Sequence, residues 1–230
     1  AQRFTEDSSR LRVLVLGGGE RIVAFIGVGL LKLSTFRVGV LGGSLFRIGV
    51  GATPFLLPLM LQLSFGLDPL QSGLITFASA AGAMFMKTLA ARILRRFGFR
   101  PVLIANALAA SVLLCAFGLF RADTPYPLLI GVLLASGCFR SLQFTSLNAI
   151  TYADIEPERM GQASSLAGMA QQVALAIGVT IGGYALTVAS IASGQPMDAA
   201  INFTFAFLTV GLISARSAWM MLRLAPGAGA

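Results

Sequence analysis

Val38-GVLGGSLFRIGVGATPFLLPLMLQLS-Phe65 is an apolar run interrupted by a single charge, Arg47. It is longer than the ~20 residues a helix needs to cross a bilayer. Arg47 falls nine residues after Val38, and at ~1.5 Å of rise per residue that depth is near the middle of the hydrocarbon. An arginine facing lipid there is costly, so it is expected to face a bundle interior, a partner or a wet cavity. The run therefore predicts an all-α, polytopic membrane protein with a polar interior.

Composition agrees with this reading. The mean hydropathy is +0.83, and only 11% of residues are charged against 56% hydrophobic, whereas a soluble domain carries about a quarter charged. Five further stretches, about 70–91, 101–120, 126–150, 161–190 and 200–222, are long enough to span. Turn or charged residues cluster between them, at Gly66–Pro69, Arg92–Pro101, Arg121–Pro127, Asp154–Arg159 and Ser193–Asp198. Strand-type alternation is absent, which argues against a β-barrel. Residues 33–223 thus read as a six-span bundle, with 1–32 an amphipathic or surface lead-in and 224–230 a tail.

The formal charge of +8 does not point to nucleic acid, because most basic residues flank apolar runs and no polar, aromatic-interleaved face collects them. Lys32 and Arg37 precede the first span, Arg92, Arg95, Arg96 and Arg100 separate the second from the third, and Arg223 follows the sixth. The alternate connections offer only Arg121. Under the positive-inside bias both ends of the bundle are cytoplasmic, which six spans satisfy.

Several other chemistries are disfavoured. Val13-LVLGG-Gly19 superficially resembles a strand entering a phosphate loop, but Ile22 stands where a third glycine is needed and no βαβ unit follows. No cleavable signal peptide is evident, since the apolar stretch after the charged residues 1–12 is broken by Gly17–Gly19, Glu20 and Arg21. There is no histidine, and Cys115 and Cys138 lie singly within apolar runs as packing residues. No metal or cofactor is expected, and without paired acids in the spans neither is an enzyme.

On an ideal helix Gly43, Arg47, Gly51, Pro54, Pro58 and Gln62 share one face of the first span. Pro54 and Pro58 each remove a backbone donor and loosen the helix, as a gating element requires. The alternative is close packing through Gly39 and Gly43 with Arg47 satisfied by carbonyls. In the fourth span Ser136, Arg140, Gln143 and Thr151 form a second polar face, although Arg140 could snorkel to the interface. Arg216 and Lys87 read as snorkelling residues. Gly161, Ser164, Ser165, Gly168, Gln172, Gly178, Gly182 and Gly183 make the fifth span a surface for close helix approach. All nine acids lie in the lead-in, connections or span ends, so a proton-titrating carboxylate is expected elsewhere.

From Ser34 onward the chain resembles the C-terminal half of a major facilitator superfamily transporter, closest to the fourteen-span drug:proton antiporter branch. The resemblance rests on Thr35-Phe-Arg37, Pro54-FLLPLML-Gln62, Asp68-PLQS-Gly73, Arg92-ILRRFGF-Arg100 and Glu156-PERMGQAS-Ser165, over about 190 residues. The basic stretch departs from the family's G-x-x-x-D-R-x-G-R-R pattern, with Ala91 for the leading glycine and Arg95 for the aspartate. The resemblance implies a bundle of paired three-helix repeats and alternating access to a small-molecule substrate. It also implies protons as the coupling ion, a six-span N-terminal half as partner, and the cell membrane as location. Arg47, Gln62, Arg140 and Gln143 are the expected cavity-lining residues, Pro54 and Pro58 the gating ones, and Arg92, Arg95, Arg96 and Arg100 a cytoplasmic basic loop. The family's proton-titrating first half has no counterpart in these residues. The chain reads as a truncated or split carrier, or else as a non-transporting subunit that completes one.

Overall fold

A computed structural model describes residues 28–225. Residues 1–27, including the glycine-rich Val13–Gly19 segment and most of the lead-in, lie outside the described residues. Among those described, no strand occurs, and six helices are long and apolar enough to cross a membrane. They are α1 (Ser34–Ser64), α2 (Pro69–Phe97), α3 (Phe99–Phe117), α4 (Tyr126–Tyr152), α5 (Met160–Ser193) and α6 (Ala200–Met221).

Local chemistry sets the helix ends. Asp68 accepts from the Gln71 backbone N–H at 2.9 Å while the Gln71 side chain accepts from the Asp68 N–H at 3.3 Å. This capping box, with Pro69 in the first turn, satisfies donors that α2 would otherwise strand. Gly98, at φ +77°, then turns the chain directly into α3, a conformation that side chains with a Cβ rarely adopt. At the far end of α3, Arg121 donates from Nη1 to the carbonyls of Gly118 and Phe120 and from Nη2 to Thr204 Oγ1 on α6.

The basic stretch is not a loop. Arg92, Arg95 and Arg96 occupy the last turns of α2, and Arg100 lies in the first turn of α3. Arginine is a good helix former, and cations in a last turn meet the negative end of the helix dipole. The charges thus extend the helix past residue 91. At 29 residues α2 is about 44 Å long, more than the hydrocarbon requires.

α1 is the irregular member. It contains π-type segments at Val38–Gly42 and Met60–Ser64 and a turn at Ala52. Pro54 opens the following segment, where a missing N–H costs little, whereas Pro58 lies inside it. α4, its counterpart, is one uninterrupted helix.

The packing obeys a two-fold pattern. α2 lies along α4 as α5 lies along α1, α3 meets α4 as α6 meets α1, and α3 meets α6. Exchanging α1–α3 with α4–α6 maps these pairings onto themselves, although α5 and α6 pack more extensively than α2 and α3. Glycines build both lateral crossings. A Cβ on Gly82 would strike the Leu134 carbonyl oxygen, and one on Gly137 the Ser79 oxygen. Likewise Gly178 abuts the Ile48 carbonyl, and a Cβ on Gly51 would lie 2.8 Å from the Leu175 oxygen.

Apolar side chains fill the interior from both ends. Leu56, Met60, Leu61, Phe117, Phe203 and Phe207 are buried together in one cluster. Val38, Phe46, Leu103, Leu147 and Met221 are buried in another. Leu224, three residues beyond α6, joins this second cluster, while Leu222 and Arg223 between them are exposed. Leu30, in the 3₁₀ turn Val28–Lys32, packs with Phe36, Val40, Ile155 and Ala163.

Candidate functional site

Arg47 is 5% exposed and faces the protein. Its Nη2 donates to Asn148 Oδ1 on α4 at 3.3 Å, and its guanidinium carbon lies 5.3 Å from the Phe144 ring centroid, within cation–π range. A Cβ on Gly43, one turn earlier, would fall on Arg47 Nη1. The small residue therefore makes the space that the guanidinium occupies. Nε has no hydrogen-bond partner among the described residues.

This is sparse company for a buried charge. An ion moved from water to a protein interior costs several kcal/mol even after relaxation, unless counter-charge or several hydrogen bonds offset it. Among the described residues, one neutral amide and one aromatic face offset it. Asn148 is itself exposed, so the guanidinium sits one side chain below the surface of α4. That surface continues through Thr145 and Ala149, both exposed.

The other expected site residues part company. Gln143 has no exposed surface and does not line a cavity. Its Oε1 accepts from Asn106 Nδ2 at 2.8 Å and its Nε2 donates to Met221 Sδ at 3.3 Å, joining α4 to α3 and α6. Asn106 Nδ2 also donates to the Phe139 carbonyl at 2.7 Å. The reason is rotational, since Gln143 lies about 100° around the helix from Phe144, which faces Arg47. Arg140 is half-buried and makes no hydrogen bond to another described residue. Gln62 is half-buried within the second π-type segment.

The predicted six-residue stripe on α1 also divides. Gly43, Arg47 and Gly51 are buried, Pro54 is exposed, and Pro58 and Gln62 are intermediate. The turn at Ala52 breaks the 3.6-residue period on which the prediction rests. Sequence reasoning missed Phe144 and Asn148, which follow Arg140 at successive intervals of four and so continue its face. It also missed Asn106, the one amide side chain in α3.

Near one end of the bundle, Thr35 Oγ1 donates to Asp154 Oδ2 at 2.8 Å, tying the start of α1 to the α4–α5 connection. Gly39 there presses against Thr151. Cys115 and Cys138 are free thiols, and the latter donates to the Gly82 carbonyl at 3.2 Å. No group of residues able to hold a metal ion is found among the described residues.

Six spanning helices in a two-fold arrangement, with a sheltered cation beneath one exposed face, define an all-helical polytopic membrane protein. The profile of the Major Facilitator Superfamily matches residues 39–229, and the chain belongs to that family. Among curated relatives it is 32% identical over 206 residues to a protein named "Putative multidrug resistance protein MdtD" from Escherichia coli strain K12. The proteins of that name from Escherichia coli strain SE11 and Shigella boydii serotype 18 match to the same extent. The alignments cover 87% of this chain but only 43% of each relative, so the chain spans less than half their length.

Proposed function

We propose that this chain supplies the C-terminal half of a secondary transporter that exports small lipophilic molecules by alternating access. Family membership, likeness to proteins named for multidrug resistance, and a two-fold six-helix bundle support the reading. The single observation that carries it is Arg47, a buried cation that donates, among the described residues, to one neutral acceptor just under the exposed face of α4. In a complete carrier that face meets the first six spans. Arg47 there pairs with a carboxylate of that half or with an anionic group on the substrate. Gln62 and Arg140 are proposed to line the pathway, and Pro58 to let α1 bend as access alternates. Gln143 serves as a support that fixes α4 against α3 and α6.

The placement is the cell membrane, with the Arg-rich α2–α3 junction on the cytoplasmic side. The reaction proposed is translocation without bond chemistry, and the coupling proton is carried by the other half. A match to 43% of the relatives' length equally accommodates a separate subunit that completes a split carrier.

The test is export by the complete transporter carrying Arg47→Ala. At normal expression, substrate efflux is expected to fall at least tenfold, the kinetic counterpart of losing about 1.4 kcal/mol or more. Wild-type efflux from that variant would refute the role of Arg47. Co-purification with a separate six-span protein would favour the split carrier.

A further inference from the structure

One groove on the outside of the bundle lies beside the basic junction. It has a volume of about 380 Å³ and is walled by Ile93 and Phe97 of α2, Pro101, Ala105 and Ala109 of α3, and Phe139 of α4. The trough exists because Ala105 and Ala109, one turn apart, put only methyl groups where α3 passes between its neighbours. From Pro101 to Ala109 it runs about 12 Å into the membrane-spanning part of α3. Asn106, which shares the wall, directs its amide inward to Phe139 and Gln143, leaving the surface apolar.

A cationic stripe borders the groove. Arg92 and Arg96 are exposed, one turn apart, on the stripe of α2 beside Ile93 and Phe97. The Arg96 guanidinium carbon lies 5.7 Å from the Phe97 ring centroid, so the charge stands over a groove-lining side chain. Arg100 is engaged elsewhere, its Nη2 donating to the Leu222 carbonyl at 3.0 Å. Only two described acids, Asp68 and Asp123, precede Asp154 in the chain, and neither belongs to this junction.

We propose that this groove is a binding site for one anionic phospholipid. An acyl chain occupies the trough between α2, α3 and α4, and the headgroup phosphate is held by Arg92 and Arg96. Charge complementarity selects the occupant, because basic clusters between spanning helices attract acidic headgroups at about 1 kcal/mol per residue. A second groove serves as contrast. Lined by Leu108, Val112, Leu119, Leu212 and Ala215 between α3 and α6, it has a volume of about 370 Å³ and, like the first, an apolar wall. Arg216 stands beside Ala215, but among the described residues no pair of exposed arginines one turn apart borders it, so it is expected to discriminate headgroups less.

Native mass spectrometry of the purified chain, offered phosphatidylglycerol and phosphatidylcholine at equal concentration, tests the proposal. The wild-type chain is expected to retain one phosphatidylglycerol in preference to phosphatidylcholine. Each of Arg92→Gln and Arg96→Gln should weaken that preference about fivefold. Ala105→Trp should abolish it by filling the trough, while Leu212→Trp leaves it intact. Equal retention of the two lipids by the wild-type chain would overturn the site without recourse to any variant. Wild-type preference in the Ala105→Trp chain would exclude the trough. Full displacement by millimolar inorganic phosphate would reduce the site to a headgroup contact and overturn the acyl-chain assignment.

Discussion

The α2–α4 and α1–α5 crossings are made by the same device and joined differently. Each sets one glycine from either helix against the partner's backbone. At the first, side chains add to that contact, with Cys138 Sγ donating to the Gly82 carbonyl at 3.2 Å and Ser141 Oγ to the Ala83 carbonyl at 2.9 Å. At the second, no side-chain hydrogen bond spans the contact among the described residues. The first crossing joins two unbroken helices, whereas the second holds a helix with two π-type segments and an internal proline. Symmetry of packing therefore does not mean symmetry of rigidity. The crossing whose helix carries Arg47 is the looser one.

Substitutions at the glycines should have the largest effects. Gly137→Val drives side-chain atoms into the Ser79 backbone, with the carbonyl carbon 2.7 Å from the new Cβ. Backbone cannot swing aside as a side chain can, so a loss of about 3 kcal/mol or more is expected. Gly178→Val meets the Ile48 carbonyl, with its carbon 3.1 Å away, and should cost somewhat less because α1 can yield. Thermal unfolding in detergent would rank them, and a milder effect at Gly137 would reverse the assignment of the stiffer crossing.

A smaller effect is expected from the stitching residues. Cys138→Ala combined with Ser141→Ala removes two interhelical donors, each worth about 0.6 kcal/mol on average between membrane helices. The midpoint should fall by the equivalent of about 1 kcal/mol, and an unchanged midpoint would leave the glycines alone responsible for the difference. The smallest effect should come from Gly168→Ala. Nothing lies within 4 Å of a Cβ there, so the isolated chain should be unchanged or gain up to about 1 kcal/mol from better helix propensity. Measurable destabilisation of this chain would show that the Gly168 face of α5 is packed rather than open.

The sequence makes the helix number plain because apolar runs of spanning length leave few alternatives. The sheltering of Arg47 follows from the cost of exposing it to lipid. Its partners did not follow, because they depend on how α1 and α4 are rotated, and irregular turns in α1 upset the period. The end of α2 was misread for a different reason. Arg92, Arg95 and Arg96 look like an interruption when charge is counted against hydrophobicity, yet on a helix terminus they favour continuation. The small-residue surface of the fifth span proved to be two surfaces. Gly178 and Gly182 meet neighbours, whereas Gly161 and Gly168 face open space, a distinction that spacing alone does not contain.

The pairing order of the helices has a consequence for how the chain is made. α1 and α2 touch each other little; α1 packs mainly on α5 and α6 and α2 on α4, all of which emerge later from the ribosome. Early segments must therefore wait in the bilayer, or beside the insertion machinery, with their glycine faces uncovered until the later ones arrive. Arg47 waits with them, because Asn148 and Phe144 are about a hundred residues downstream. Premature arrest of translation before α4 would leave that cation facing lipid or translocon, a ready signal for membrane quality control.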